Sequence, residues 1–486
     1  MWSADPPRSG ATLSLVTARH HGVARQAPVT ARLLLIVFFA AGCGPGHRHG
    51  DDGGTRDDGG TNPDTGTVTD AGPNTRVFTF ADHGFVNPFT GGVAWETSEN
   101  AHVLAMEWAF VGLSDVYATC SAAPDWTQVD AFLASVAARG HQAILRPVVF
   151  GPGYGAGSFA PSDLATSNFS YEGDTYENPR WDLTAVQSCI LQFIDAFAAR
   201  YRDDLRVAYI QMGLVGLWGE HHLDGGPYTA ASFPSNAFQK TMIEHYLDGF
   251  GTSSSDLLCS VSLDSAQSHG FFGSADSSLD AARVGFFDDT LLEANHGSPS
   301  NWRQEAAPAR QLSLHRRHGW GGEAFWSGCN SNGAWAVPPH DCGNGEGLGA
   351  QAARLGLDYM LGSNAYDGSI GRAALLTASQ LMGYKFTATT VTRLGTGELA
   401  VTVENTGVAY CPYEVQVCTQ QGCAGDLSTL APGASVVVTV PASSSAMQVL
   451  SLASPRLAPS SSQKIRWSNA EADPGAATLT VTFDGA

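Results

Sequence analysis

Val207-Ala-Tyr-Ile-Gln-Met-Gly-Leu-Val215 runs straight into Gly216-Leu-Trp-Gly-Glu220. The first nine residues form an apolar, strand-like run. The next five end it with glycines and present a tryptophan and a carboxylate at its C-terminal end. In a parallel β/α barrel that end of each strand faces the active site. Glu220 is thus the first candidate for a site residue.

This segment is the fourth of eight strand-like runs between Arg76 and Phe386. Gly91–Trp95, after Asn87-Pro88, is the first, His102–Phe110 the second and Gln142–Phe150 the third. Leu257–Asp264, Val284–Asp289, Trp320–Trp326 and Leu357–Asn364 are the fifth to eighth. Helical stretches separate them. Trp126–Arg139 carries Val129, Phe132, Leu133 and Val136 on one face, and Asp182–Tyr201 repeats Val186, Ile190, Phe193, Ile194 and Phe197 at helical spacing. Eight strands alternating with helices is the count of a TIM barrel, an α/β fold expected over residues 75–386.

After Phe386 the texture changes. Leu399–Asn405, Tyr413–Val417, Ala434–Val440 and Ala477–Phe483 are short alternating runs, with turns at Asn405-Thr-Gly407 and Ala431-Pro-Gly433. They predict an all-β antiparallel sandwich over residues 387–486. Its expected role is to pack against the barrel and stabilise it; binding carbohydrate is the other role open to it.

Polar and aromatic side chains gather where the barrel rule wants them: Glu107 and Trp108, Arg146, Trp218 and Glu220, Asp264, Asp288 and Asp289, Glu323, and Asn364. A carboxylate buried within a strand is costly unless paired, whereas one in a polar mouth avoids that cost.

Asn87-Pro88, Gln211–Glu220, Val284–Asp289, Gly321-Gly-Glu323 and Gly383-Tyr-Lys-Phe386 together resemble one family of secreted bacterial proteins. Its members are paired domains of unknown function, a glycoside-hydrolase-like barrel with a β-sandwich behind it. The resemblance covers about residues 77–480. The layout also looks like the glycoside hydrolases whose acid/base glutamate ends strand four and whose nucleophilic glutamate ends strand seven. Carried over by strand, that resemblance implies Glu220 as acid/base and Glu323 as nucleophile. Retaining hydrolysis asks for two carboxyls about 5–5.5 Å apart, one protonated and one ionised. Glu107, Trp108, Arg146, Trp218, His222, Asp264, Asp289, Trp326 and Asn364 are the expected substrate contacts. Two positions depart from the pattern. Gly219 stands where such enzymes usually carry an asparagine for the sugar 2-hydroxyl, and Arg146 falls on the third strand instead of the second. These departures leave open a different chemistry, or a barrel that binds glycans without cleaving them.

Each candidate has a second reading. Trp218, Trp320 and Trp326 suit sugar stacking or the core equally. His221 and His222 suit substrate hydrogen bonds; with Asp264 or Asp289 they suit a metal, but no HExxH-like helical spacing supports one, and no metal is expected. Arg146 suits a structural pairing with a barrel carboxylate. Asp288 and Asp289 suit substrate contacts or a helix cap. Gly151-Pro-Gly-Tyr-Gly155 lacks the lysine of a phosphate loop, so no nucleotide or other cofactor is expected. The chain carries 26 Lys and Arg against 46 Asp and Glu, a formal charge of −20, which excludes nucleic acid as a natural partner. The 11 tryptophans fit a carbohydrate partner; nothing specifies an oligomeric state.

Leu33–Gly42 is a ten-residue apolar run after Arg25 and Arg32, too short to span a bilayer and right for a signal-peptide core. It ends in Phe39-Ala-Ala-Gly-Cys43, which resembles a bacterial lipobox. Residues 1–43 are therefore expected to be a lipoprotein signal peptide, with Cys43 lipidated and the chain anchored in the cell envelope, at the outer membrane or cell surface. Residues 1–22 are long and polar for such a signal, pointing to translation from near Val23. Residues 44–74, rich in Gly, Asp and Thr, lack apolar residues to bury and read as a disordered linker. Beyond Cys43 eight of the nine cysteines remain, an even count that suits disulfides in an exported protein. Cys329–Cys342 and one pair among Cys411, Cys418 and Cys423 are expected from their short separations. The expected function is a surface-anchored retaining glycosidase acting on an extracellular glycan. The alternatives are a non-catalytic glycan-binding or surface-structural lipoprotein, and a metal-dependent hydrolase.

Overall fold

The computed structural model describes residues 74–95, 103–154, 157–224, 226–262, 282–292, 318–324, 329, 334–342, 346–362, 371–395, 397–459 and 462–484. The signal peptide with Cys43, the linker up to residue 73, and Asp264, Trp326 and Asn364 lie outside the described residues.

The chain enters through β1 (Thr75–Val77), then lays down β2 (Gly91–Trp95), β3 (Met106–Gly112) and β4 (Gln142–Val148). A hairpin, β5 (Thr166–Tyr171) and β6 (Asp174–Pro179), interrupts the alternation. Then come β7 (Val207–Gln211), β8 (Leu258–Ser262), β9 (Val284–Leu291), β10 (Trp320–Ala324) and β11 (Tyr359–Leu361). Strands β2, β3, β4, β7, β8, β9, β10 and β11 close into a barrel in that order, and every neighbouring pair is parallel. The expected TIM barrel is the observed one. Helices α1 (Leu113–Val116), α2 (Thr127–Ala138), α3 (Thr184–Tyr201), α4 (Asn236–Phe250), α5 (Leu348–Leu355) and α6 (Arg372–Ser379) lie between strands or follow them.

Helix α2 buries Val129, Phe132, Leu133 and Val136, and α3 buries Val186, Ile190, Phe193, Ile194 and Phe197, the faces that periodicity marks. Each such side chain contributes about 1.5–3 kcal/mol on burial. A disulfide joins Cys120, beyond α1, to Cys189 in α3. Cys329–Cys342 and Cys418–Cys423 also pair, while Cys259 and Cys411 are buried thiols. Three disulfides suit an extracellular protein. Among the described residues no helix is long and apolar enough to cross a membrane.

Beyond the barrel come β12 (Phe386–Arg393), β13 (Glu398–Asn405), β14 (Gln416–Thr419), β15 (Gly422–Ala424), β16 (Ser435–Pro441), β17 (Met447–Ala453), β18 (Ala472–Asp473) and β19 (Thr478–Thr482). They form two antiparallel sheets, β1-β12-β13-β16 and β15-β14-β17-β19-β18. Strand β13 alternates, burying Leu399, Val401, Val403 and Asn405. The Asn405 carboxamide donates to the carbonyls of Ala409 (2.9 Å) and Leu430 (3.0 Å) and accepts from the Lys385 and Gly407 amides, so its burial leaves nothing unpaired. Strand β1 pairs with β12, so residues 75–77 belong to the sandwich and not to the barrel wall.

The sandwich closes the barrel's N-terminal rim. The Tyr413 hydroxyl donates to the Ala208 carbonyl and accepts from the Leu258 amide (3.0 Å), both at the start of barrel strands. Arg456 donates to the carbonyls of Asp204 and Val207, each at 3.1 Å. Lower barrel side chains, among them Phe89, Tyr209 and Tyr359, form one apolar cluster with Tyr413, Leu399 and Trp467. Glu220 and Glu323 sit toward the other rim, at the C-terminal ends of β7 and β10.

Candidate active site

Glu220 follows β7 on a tight turn built under strain. Leu214 (φ 73°), Trp218 (φ 50°) and His221 (φ 64°) are all left-handed, and each such non-glycine residue costs about 1–3 kcal/mol. Close approach explains the glycines. A Cβ on Gly213 would stand 2.0 Å from the Pro147 carbonyl oxygen. Gly219, at φ 75°, would bring a Cβ to 2.9 Å from the Cα of Gly213. Gly219 therefore leaves no room for an asparagine at this position. His221 turns into the core and hydrogen-bonds the Met212 carbonyl at 2.8 Å; burial pushes its pKa down to about 4. It fixes the turn instead of meeting substrate.

Glu323 sits on β10 at a break in register, between Gly322 opposite Asp288 and Ala324 opposite Leu291. Such bulges re-aim side chains. Arg146, on β4, meets both glutamates. Its Nη1 donates to Glu220 Oε1 at 3.1 Å, and its Nη2 forms an ion pair with Glu323 Oε1 at 2.9 Å. The guanidinium is fully buried between the rings of Trp108 (4.9 Å) and Phe287 (4.7 Å), a cation–π sandwich. Gln211 aims it: one carboxamide oxygen accepts from Arg146 Nε at 2.6 Å and Trp108 Nε1 at 2.8 Å, while its amide donates to the Tyr359 hydroxyl at 3.1 Å.

On the far side of Glu220, His222 Nε2 donates to Oε2 at 3.1 Å and lies 3.6 Å from Asp289 Oδ2. These five groups hold three carboxylates against two cations, one negative charge too many for a site with side-chain exposures of 8 % at Glu220 and 14 % at Glu323. The titration follows from that excess. Burial pushes Glu323 up to about 8, opposed by Arg146 and reinforced by the Glu220 and Asp289 charges. Burial and then Asp289 raise Glu220, against His222 and Arg146. Burial alone would lower His222, but its bonds to Asp289 and Glu220 prevail and hold it well above the ordinary imidazole range. One proton therefore stays on the glutamate pair at neutral pH.

The structure gathers Glu220, Glu323, Arg146, His222 and Asp289 in one cluster, with Trp218 beside it. Trp218 donates to the Pro152 carbonyl (2.7 Å), meets Tyr171 of the hairpin edge-on and lies 6.2 Å from the His222 ring. Trp108 belongs to the cluster but is fully buried beneath Arg146, so it supports the arginine instead of presenting a face to sugar. Glu107 is a correction. Its strand begins at Met106, not His102, which puts Glu107 near the opposite rim, bound by Arg139 at 2.7 and 2.6 Å and by His141 at 2.7 Å. Trp320 packs on Phe286 in the core. Asp288 is buried and accepts from the amide and hydroxyl of Thr290, at 3.0 and 3.1 Å.

Three residues escaped the sequence reading. Gln211 and Tyr359 hold Arg146 in place; the lone glutamine in an apolar strand was the available signal. Tyr154, in the Gly151-Pro-Gly-Tyr-Gly155 loop, packs on Phe110, and its phenol is driven up by burial and by the charges of Glu323 and Glu220. Nothing in that loop's composition separates it from an ordinary connection.

Fold and site define a closed parallel barrel that holds a carboxylate pair on one arginine at its C-terminal mouth. No family model matches the chain, and no curated protein does. Solved structures do. The lactosyl-enzyme intermediate of endo-glycoceramidase II from Rhodococcus sp. matches at 14 % identity and a TM-score of 0.39, over 75 % of this chain and 99 % of that one. An endoglucanase from Pseudomonas stutzeri matches at 9 % and 0.36, over 63 % and 97 %. A xylanase from Cellvibrio japonicus matches at 12 % and 0.33, over 57 % and 86 %. At these values the likeness carries no chemistry over to this chain.

Proposed function

We propose that this chain is a retaining glycoside hydrolase, anchored through Cys43 and acting on an extracellular glycan. The observation that carries the proposal is the convergence of Glu220 and Glu323 on one guanidinium, Arg146. Double displacement requires the acid on Glu220 and the carboxylate on Glu323, so the proton that burial holds on Glu323 must pass to Glu220 when substrate binds. Glu323, in its ionised form, attacks the anomeric carbon while Glu220 protonates the leaving oxygen. Glu220 then takes a proton from the water that releases the sugar. His222 and Asp289 tune Glu220, and Trp218 offers a stacking face beside it. Glu220→Gln and Glu323→Gln should each abolish hydrolysis in a screen of glycans while thermal unfolding stays cooperative. Full activity in both variants would sink the assignment.

One observation favours a second reading, a metal-dependent hydrolase: ligand atoms of Glu220, His222 and Asp289 lie within 4.8 Å of one another. The Arg146 cation, 3.1 Å from Glu220, opposes an ion there. Stoichiometric transition metal in purified protein, with activity lost to chelator, would favour this reading over the first.

A further inference from the structure

The barrel rim opposite the glutamates is normally a place for packing, yet here it holds a cavity of about 350 Å³. Its polar lining comes from Arg139 and His141 of the barrel, Arg372 of α6, and Ser462, Gln463 and Arg466 of the sandwich. Glu107 occupies two of these groups, taking Arg139 through both carboxylate oxygens and His141 through one. Arg372 and Arg466 differ: among the described residues neither pairs with a carboxylate. Arg466 instead donates to the carbonyls of Pro474 (2.8 Å) and Lys464 (3.3 Å) and stacks over Phe85 at 5.4 Å. Burial pushes its pKa down, with only the Tyr384 phenol opposing.

Several arginines of this acidic chain find a carboxylate, as Arg180 does in Asp182, Arg200 in Asp130, Arg206 in Asp204 and Arg354 in Glu346, while Arg283, Arg393 and Arg456 donate to backbone carbonyls away from this cavity. Two guanidiniums with no carboxylate partner among the described residues, lining a cavity large enough for a small ligand, make a local positive field on an acidic protein. Guanidiniums match oxyanions through paired N–H donors.

We propose that this cavity is a second binding site, separate from the mouth, that takes a small oxyanion between Arg372 and Arg466 with the Ser462 hydroxyl as a further donor. The oxyanion is either free or the acidic group of a saccharide. The site does not depend on the glycosidase reading.

Isothermal titration of the intact protein with inorganic sulfate, glucuronate and neutral glucose tests it. Saturable binding of sulfate or glucuronate is expected, weakening with added NaCl, with none for glucose. Affinity should fall at least tenfold in Arg372→Ala and in Arg466→Gln and stay unchanged in Glu220→Gln. Tighter binding of glucuronate than of sulfate assigns a saccharide source, and the reverse a free oxyanion. Arg372 is exposed, so Arg372→Ala decides alone if the half-buried Arg466 variant misfolds. No saturable binding of either anion, or equal binding in wild type and Arg372→Ala, overturns the proposal.

Discussion

Arg146 Nη2 stands 2.9 Å from Glu323 Oε1, joining the third barrel strand to the seventh directly across the ring. Because the same guanidinium also holds Glu220, the two carboxylates share one cation and repel each other when both are ionised. Arg146→Met should leave that repulsion uncompensated. We expect a loss of about 3–5 kcal/mol in urea denaturation, the usual cost of breaking a buried pair, together with loss of activity. Arg146→Lys keeps charge without the fork and should recover stability more than rate.

The raised glutamates set the pH behaviour. Between the ordinary carboxylate range and the value of about 8 at Glu323, the native state binds more protons than the unfolded chain. Stability contributed by this pair is therefore present at low pH and falls as pH rises through that window. Glu107 runs the other way: burial would raise it, but His141 and Arg139 hold it below the usual value, so its contribution is lost on acidification. Comparing denaturation at acid, neutral and alkaline pH in wild type and Glu323→Gln should show a smaller loss with rising pH in the variant, where Glu220 alone remains raised. For activity, kcat/KM should decline on the alkaline side near pH 8, as the pair's remaining proton leaves.

Gln211→Leu preserves volume but removes the acceptor shared by Arg146 and Trp108. The guanidinium should then sample misplaced positions, and kcat should fall roughly a hundredfold with KM little changed. A structural role alone would lower the melting temperature without this kcat-against-KM split.

The disulfides should differ in worth. Cys120–Cys189 closes a loop of 69 residues and Cys418–Cys423 one of 5. Loop entropy assigns about 4 kcal/mol to the first and about 2 kcal/mol to the second. Cysteine-to-alanine pairs followed by thermal melting should reproduce that order.

Much of this was legible in the chain because strand ends carry their own punctuation. Each glutamate of the pair sits in a glycine-bounded motif, and Arg146 is the lone charge in an apolar strand. The second strand misled, since His102–Ala105 is as strand-like in composition as Met106–Phe110, and the true start at Met106 moves Glu107 toward the other rim. Gln211 could be seen but not interpreted, because only the closed ring brings it under Arg146. The three residues of β1 are too few for any alternation, and their partner lies over 300 positions away. Cys120–Cys189 was hidden by its separation, since proximity along the chain was the available guide.

The most direct test gives each glutamate its chemical role. Glu323→Ala and Glu220→Ala would be offered an activated aryl glycoside with sodium azide, and the glycosyl azide anomer read by proton NMR. With Glu323 as nucleophile and Glu220 as acid/base, azide should restore turnover in both, giving the inverted azide from the first and the retained azide from the second. Wild-type turnover on that substrate, with neither variant impaired or yielding any glycosyl azide, would contradict the pairing of these two carboxylates as catalytic groups.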